Sequence, residues 1–178
     1  MRGASQAIPV LPWAMAAPLQ VLPLAPVSAA LTALARALAT AHPGLFGRLG
    51  AHGTKRFLID PTDLPIVLLL DLSAACPSVT AWRAAPPADC RIAGALAALL
   101  GLVHGAFDGD ALFFSRDLTI EGDTAAALAL RNAIDDAELD LVAEAAALAG
   151  PLAPPLARLA DIAELATGVA LRRRDVCA

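Results

Sequence analysis

Residues 92–104 offer a helix with no polar side. Its strongest stripe is Ile92, Leu96, Leu99, Leu100 and Val103, and Ala93, Ala97 and Ala98 fill the rest. A helix apolar all round is normally buried or covers a hydrophobic cavity. A fold for this chain must therefore wrap that segment, and the flanking sequence shows with what.

Ahead of it stand four strand candidates. Arg56-Phe57-Leu58-Ile59-Asp60 is a short one, closed by a turn at Pro61-Thr62-Asp63. Residues 64–72 form a longer, leucine-rich one, whose Pro65 favours a strand end or a sheet edge. Residues 78–83 are a third, and Asp89-Cys90-Arg91-Ile92 a fourth that runs straight into the apolar helix. Beyond that helix, Phe107-Asp108-Gly109-Asp110 reads as a turn and Leu112-Phe113-Phe114 follows. Residues 116–121 then alternate polar and apolar as a half-buried strand should. Gly122 turns the chain and Asp123 caps a helix through Ile134, with Ala127, Leu130 and Ile134 inward.

Helices also flank this core. Ser28 is placed to cap one with Leu31, Leu34, Ala35 and Leu38 on one stripe, stopped by His42-Pro43-Gly44. After Asp135-Asp136 another ends at Gly150-Pro151, and a last amphipathic piece sets Leu152, Leu156, Leu159 and Ala163 against Arg158, Asp161 and Glu164. Short strand-to-strand turns predict an α+β domain: an antiparallel sheet of about five strands covered by helices. With 178 residues and no long linker, one domain at 27–150 is expected. Residues 1–26 form a proline-rich apolar arm, and 151–178 an amphipathic helix with a basic tail.

Composition sharpens the question of what the helices enclose. The chain is 58% hydrophobic with only 4% aromatic residues and no tyrosine, and its mean hydropathy is +0.65. So much aliphatic surface needs a large core, an internal cavity or an exposed apolar face. A membrane helix is not expected from the uncharged stretch 3–35, because Pro9, Pro12, Pro18, Pro23 and Pro26 interrupt it. A signal peptide fits poorly, since Arg2 alone is basic and no unbroken apolar block follows.

Charge and cysteines exclude further classes. A net charge of −4 argues against nucleic acid. Ten acids and two bases lie between Asp108 and Glu144, whereas Arg172, Arg173 and Arg174 form a basic run suited to anionic lipid headgroups. Cys76, Cys90 and Cys177 have neither disulfide nor zinc spacing, which fits a reducing cytoplasm. No nucleophile elbow, P-loop, dinucleotide fingerprint or HExxH motif is present. Asp108-Gly109-Asp110 reads as a turn rather than a calcium loop, and Asp135, Asp136, Glu138 and Asp140 as a solvated helix junction. His42 and His104 read as helix-end residues. No catalytic residue, metal site or cofactor is assigned.

Two segments carry a family resemblance. Cys90-Arg91-Ile92 leads into an apolar helix, and Leu118-Thr119-Ile120-Glu121-Gly122-Asp123 has the form L-x-I-x-G-D at a strand-to-helix turn. Together they resemble the sterol carrier protein type 2 family over residues 27–136. The opening Arg56-Phe57-Leu58-Ile59-Asp60-Pro61-Thr62-Asp63-Leu64-Pro65 is similar to its bacterial branch of ubiquinone biosynthesis accessory factors, the UbiT type. That resemblance implies helices roofing a sheet around a hydrophobic tunnel. It further implies a non-catalytic protein that binds the isoprenoid tail of a quinone precursor in oxygen-independent ubiquinone synthesis. Its partners would be iron–sulfur hydroxylase proteins, and its setting the cytoplasm, peripheral at the inner membrane. On this reading Leu68, Leu70, Ile92, Leu96, Leu99, Leu100, Val103, Phe113, Phe114, Leu118, Ile120 and Leu130 line the tunnel, and the quinone ring stays near its mouth. Two alternatives stand beside it. One is a lipid-free scaffold using the acidic 108–144 face; the other is a small acyl- or prenyl-modifying enzyme dependent on His104 or Asp108.

Overall fold

In a computed structural model, residues 9–12, 16–103, 117–137 and 141–150 are described, with the single positions 154, 158, 161 and 164. Among these, five strands form one sheet: β1 (Arg56–Pro61), β2 (Val67–Asp71), β3 (Ser78–Trp82), β4 (Cys90–Gly94) and β5 (Leu118–Gly122), in the order β3-β2-β1-β4-β5. Five α-helices accompany them: α1 (Leu24–Ala41), α2 (Pro43–Gly47), α3 (Leu96–Val103), α4 (Thr124–Ala137) and α5 (Leu141–Ala149). The α+β class and the strand number agree with the expectation. The uniform antiparallel pairing does not: β1 and β4 run parallel, with Phe57 opposite Cys90 and Ile59 opposite Ile92, so the sheet is mixed.

The physical reason lies in residues 83–89. They leave β3 at one edge and must cross β2 and β1 to reach β4, about 14 Å at the usual strand spacing. Seven extended residues reach about 23 Å, and Ala84-Ala85-Pro86-Pro87-Ala88 favours extended backbone over a tight hairpin.

Strand register produces one apolar face. Ala81, Leu68, Ile59, Ile92 and Ile120 are paired in turn across all five strands, and Val79, Leu70, Phe57 and Cys90 make the neighbouring row. On the opposite face Arg91 bridges Asp60 and Glu121, with N···O distances of 2.5 and 2.8 Å. Helices α3 and α4 cover the part of the apolar face around Ile59, Ile92 and Ile120, and α1 and α2 join α4 over the part around Leu70 and Val79. Ile92 and Ala93 belong to β4 rather than to the helix start, because ladders to β1 and β5 satisfy their backbone on both sides. The helix therefore begins at Leu96. Ala95 has no capping side chain, and Asp63 from the β1–β2 turn substitutes by accepting the Leu96 N–H at 2.8 Å.

The edge strand β3 is covered by α1. The Thr32 hydroxyl donates to the Val79 carbonyl (2.8 Å) and accepts the Val79 N–H (3.1 Å), and Ser28 Oγ accepts the Ala81 N–H (2.9 Å). One helical turn separates Ser28 from Thr32, about 6 Å. Val79 and Ala81 are two positions apart, about 7 Å of strand. Ser28 thus serves the sheet edge and not, as expected, its own helix cap. That helix starts earlier, at Leu24, because Pro23 is its N-cap and Pro26 falls in the first turn, where a missing N–H costs nothing. By length and composition α1 is apolar enough to cross a membrane; in this structure it lies along β3.

The described parts of the N-terminal arm pack on the domain. The Leu11 N–H donates to Asp63 at 2.9 Å, and Arg83 donates to the carbonyls of Leu19 (3.3 Å) and Leu22 (2.9 Å).

Candidate functional site

The G-D step of the motif proves to be architectural. Gly122 has φ +83°, and a Cβ there would collide with the Asp89 carbonyl oxygen. The next residue, Asp123, donates its N–H to that same oxygen (3.0 Å) and accepts the Ala126 N–H at the start of α4 (3.0 Å). That backbone hydrogen bond, helped by Lys55, holds the Asp123 carboxyl below the ordinary carboxylate range. Asp89 also clasps Arg56, through its side chain at 2.8 Å and its N–H at 2.9 Å. These contacts fix β1, β4 and β5 relative to α4, and so fix the space between sheet and helices.

That space is a cavity of about 230 Å³. Its floor is the apolar sheet face, with Ile59, Pro61, Leu68, Leu70, Ile92 and Ile120; α3 supplies Leu96, Leu99, Leu100, Leu102 and Val103. From α4 come Ala127, Leu130 and Ile134, spaced three and four apart so that they share one stripe. Arg131 on the same stripe is the charged residue among the described residues of this lining, and its Nε lies 3.4 Å from Asp135.

Nine of the twelve residues expected around a tunnel meet on this wall: Leu68, Leu70, Ile92, Leu96, Leu99, Leu100, Val103, Ile120 and Leu130. Leu118 does not. It is buried in the core, its Cδ2 only 2.6 Å from where a Cβ on Gly94 would stand, so it fills that gap and does not line the void. Phe113, Phe114 and the basic run Arg172, Arg173 and Arg174 lie outside the described residues, as do His104 and Asp108. Sequence reasoning did not place Ile59, Pro61, Leu102 or Arg131 on the tunnel wall, and it gave Ala127 and Ile134 only as the inward stripe of their helix. For Ile59 and Pro61 the signal was available, since alternation from Phe57 puts both on its face.

Other polar groups form structural pairs. His42 Nε2 lies 2.9 Å from Glu144, His52 Nδ1 3.8 Å from Asp123, and Arg48 3.1 Å from Asp136. Among the described residues no group of three His, Cys, Asp or Glu side chains could hold a metal ion. Cys90 is buried, and desolvation, with Asp123 nearby, pushes its thiol up to about 11.

Sheet, roof and void together define a small α+β protein built around an apolar interior cavity. The chain belongs to the SCP-2 sterol transfer family, whose sequence profile matches residues 34–135. It is accordingly a lipid-binding domain of that family. Among solved structures it is similar to one described as the UbiJ-SCP2 ubiquinone synthesis protein, at 21% identity and a TM-score of 0.50, covering 68% of this chain and 93% of that one. The apo sterol carrier protein 2 from Yarrowia lipolytica aligns at 18% identity and a TM-score of 0.44, over 63% of this chain and 92% of that one. A crystal structure of sterol carrier protein 2 aligns at 18% identity and 0.46, over 62% and 95%. A search of curated proteins returns no match.

Proposed function

We propose that this protein is a non-catalytic accessory factor of oxygen-independent ubiquinone biosynthesis. It holds the isoprenoid tail of a quinone precursor and presents the ring to partner hydroxylases. The observation that carries this reading is the cavity at the sheet–helix interface, lined by aliphatic side chains from four strands and two helices. Each methylene-sized unit moved from water into such a lining gains about 0.8 kcal/mol. The tail thus supplies affinity while demanding no specific polar contact. Arg131, charged and on the wall, marks where the polar head of the ligand would sit. The branch assignment is supported by residues 56–65 and by a fold shared with a ubiquinone synthesis protein. The protein works in the cytoplasm, peripheral at the inner membrane, with Arg172, Arg173 and Arg174 facing anionic headgroups.

Lipid identification tests this directly. Organic extracts of purified protein, analysed by mass spectrometry, should contain a prenylated quinone precursor at near-stoichiometric amounts. An extract without stoichiometric lipid would overturn the reading in favour of a scaffold. A stoichiometric lipid with no prenyl chain would keep the carrier and discard the quinone assignment. Flotation with anionic liposomes tests the setting, since the triple Arg172/Arg173/Arg174→Ala variant should float less than wild type.

A further inference from the structure

A second void of about 150 Å³ lies beside the first, between the apolar face of the sheet and helices α1, α2 and α4. Leu38, Leu45, Phe46 and Leu49 belong to its lining and not to that of the first. Four side chains face both voids: Leu70 from β2, Val103 from the end of α3, and Leu130 and Ile134 from α4. Among the described residues they are the set shared by the two linings, and they form a partition one side chain thick.

The packing of that partition is weak. A side chain with a void on one side lacks contact partners there, and these four have a void on two sides. Leu70, Val103 and Ile134 are only partly buried, while Leu130 is buried. Leucine and isoleucine have staggered alternatives at two side-chain torsions, so turning them aside sacrifices few contacts and needs no backbone movement.

We propose that the two voids are lobes of one bent site, and that the partition of Leu70, Val103, Leu130 and Ile134 opens to admit chains too long for the first lobe. This rests on the carrier reading above and adds a chain-length rule to it. An apolar cavity of about 150 Å³ accommodates benzene, six heavy atoms. At that occupancy the first lobe, about 230 Å³, holds about nine heavy atoms, and with the second, about 150 Å³, about fifteen. Two isoprene units fill the first lobe; a third requires the second.

Equilibrium dialysis of the full chain with radiolabelled geraniol and farnesol, which have two and three isoprene units, tests the rule. Ala133 and Ala35 line only the second lobe, from α4 and α1 respectively. Wild type should bind farnesol at least tenfold tighter than geraniol. Ala133→Leu should abolish that advantage and leave geraniol binding within twofold of wild type. Ala35→Leu fills the same lobe from the opposite side and gives an independent reading should Ala133→Leu fail to fold. If geraniol binds and either folded variant keeps the full farnesol advantage, the two-lobe site is wrong and the carrier reading stands. If neither alcohol binds wild type, both fall together.

Discussion

At the junction of β5 and α4, Gly122 lies opposite Cys90 across the ladder, and each makes a testable demand. Gly122→Ala combines a left-handed backbone with a Cβ driven into the Asp89 carbonyl. It should destabilise the protein by about 2–4 kcal/mol, read from urea denaturation midpoints. A loss below 1 kcal/mol would show that the Asp89 clasp yields easily. Cys90 is inert for a separate reason. With its thiol raised to about 11, about one part in a thousand is thiolate at pH 8, and the thiolate is the reacting species. Iodoacetamide at pH 8 should label the exposed Cys76 and spare Cys90 in native protein, as peptide mapping would show. Comparable labelling of both would mean that the core opens around β4.

The α1–β3 contact is decided by whole elements. Sheet edges invite pairing with other chains, and here two hydroxyls one turn apart occupy the outward-facing groups of Val79 and Ala81. The Ser28→Ala/Thr32→Val double variant leaves those groups facing methyls, at a cost of about 1–3 kcal/mol. It should also raise self-association by light scattering, and a variant as stable and monomeric as wild type would remove α1 from this role. The same contact shows how far sequence reading reaches. Ser28 precedes an apolar helical stripe and so reads as a cap; nothing local reveals that a strand fifty residues on needs its hydroxyl. Ile92 was legible as a cavity residue but read both as a strand end and as the helix start, because apolar periodicity runs unbroken from β4 into α3. Leu96, Leu99, Leu100, Val103 and Leu130 were legible because helical spacing alone sets their side. The parallel β1–β4 pair was not, since strand order depends on where a connector returns. Arg131 was missed because a charge on an apolar stripe departs from the periodic pattern.

For the molecule as a whole, the cavity sets stability against binding. An empty void forfeits the contacts its lining would otherwise make, so a family member with about 230 Å³ unfilled is less stable without ligand than its sequence allows. Ala127, on α4 and almost fully buried, faces that void. Ala127→Phe adds a phenyl ring, which a cavity of about 150 Å³ already accepts, so the space suffices without backbone strain. Filling should stabilise the delipidated protein by about 1 kcal/mol, roughly 2–4 °C in melting temperature for a chain of this length. Lipid at a hundredfold excess over its dissociation constant adds about 2.7 kcal/mol to wild type, or roughly 5–10 °C. The same lipid should add almost nothing to Ala127→Phe, because the ring occupies its place. Differential scanning calorimetry of delipidated and reloaded protein separates the cases. A variant that melts higher and ignores lipid locates binding in this void. One that melts higher yet still responds fully places the ligand elsewhere, and one that melts lower shows an interior already packed to capacity.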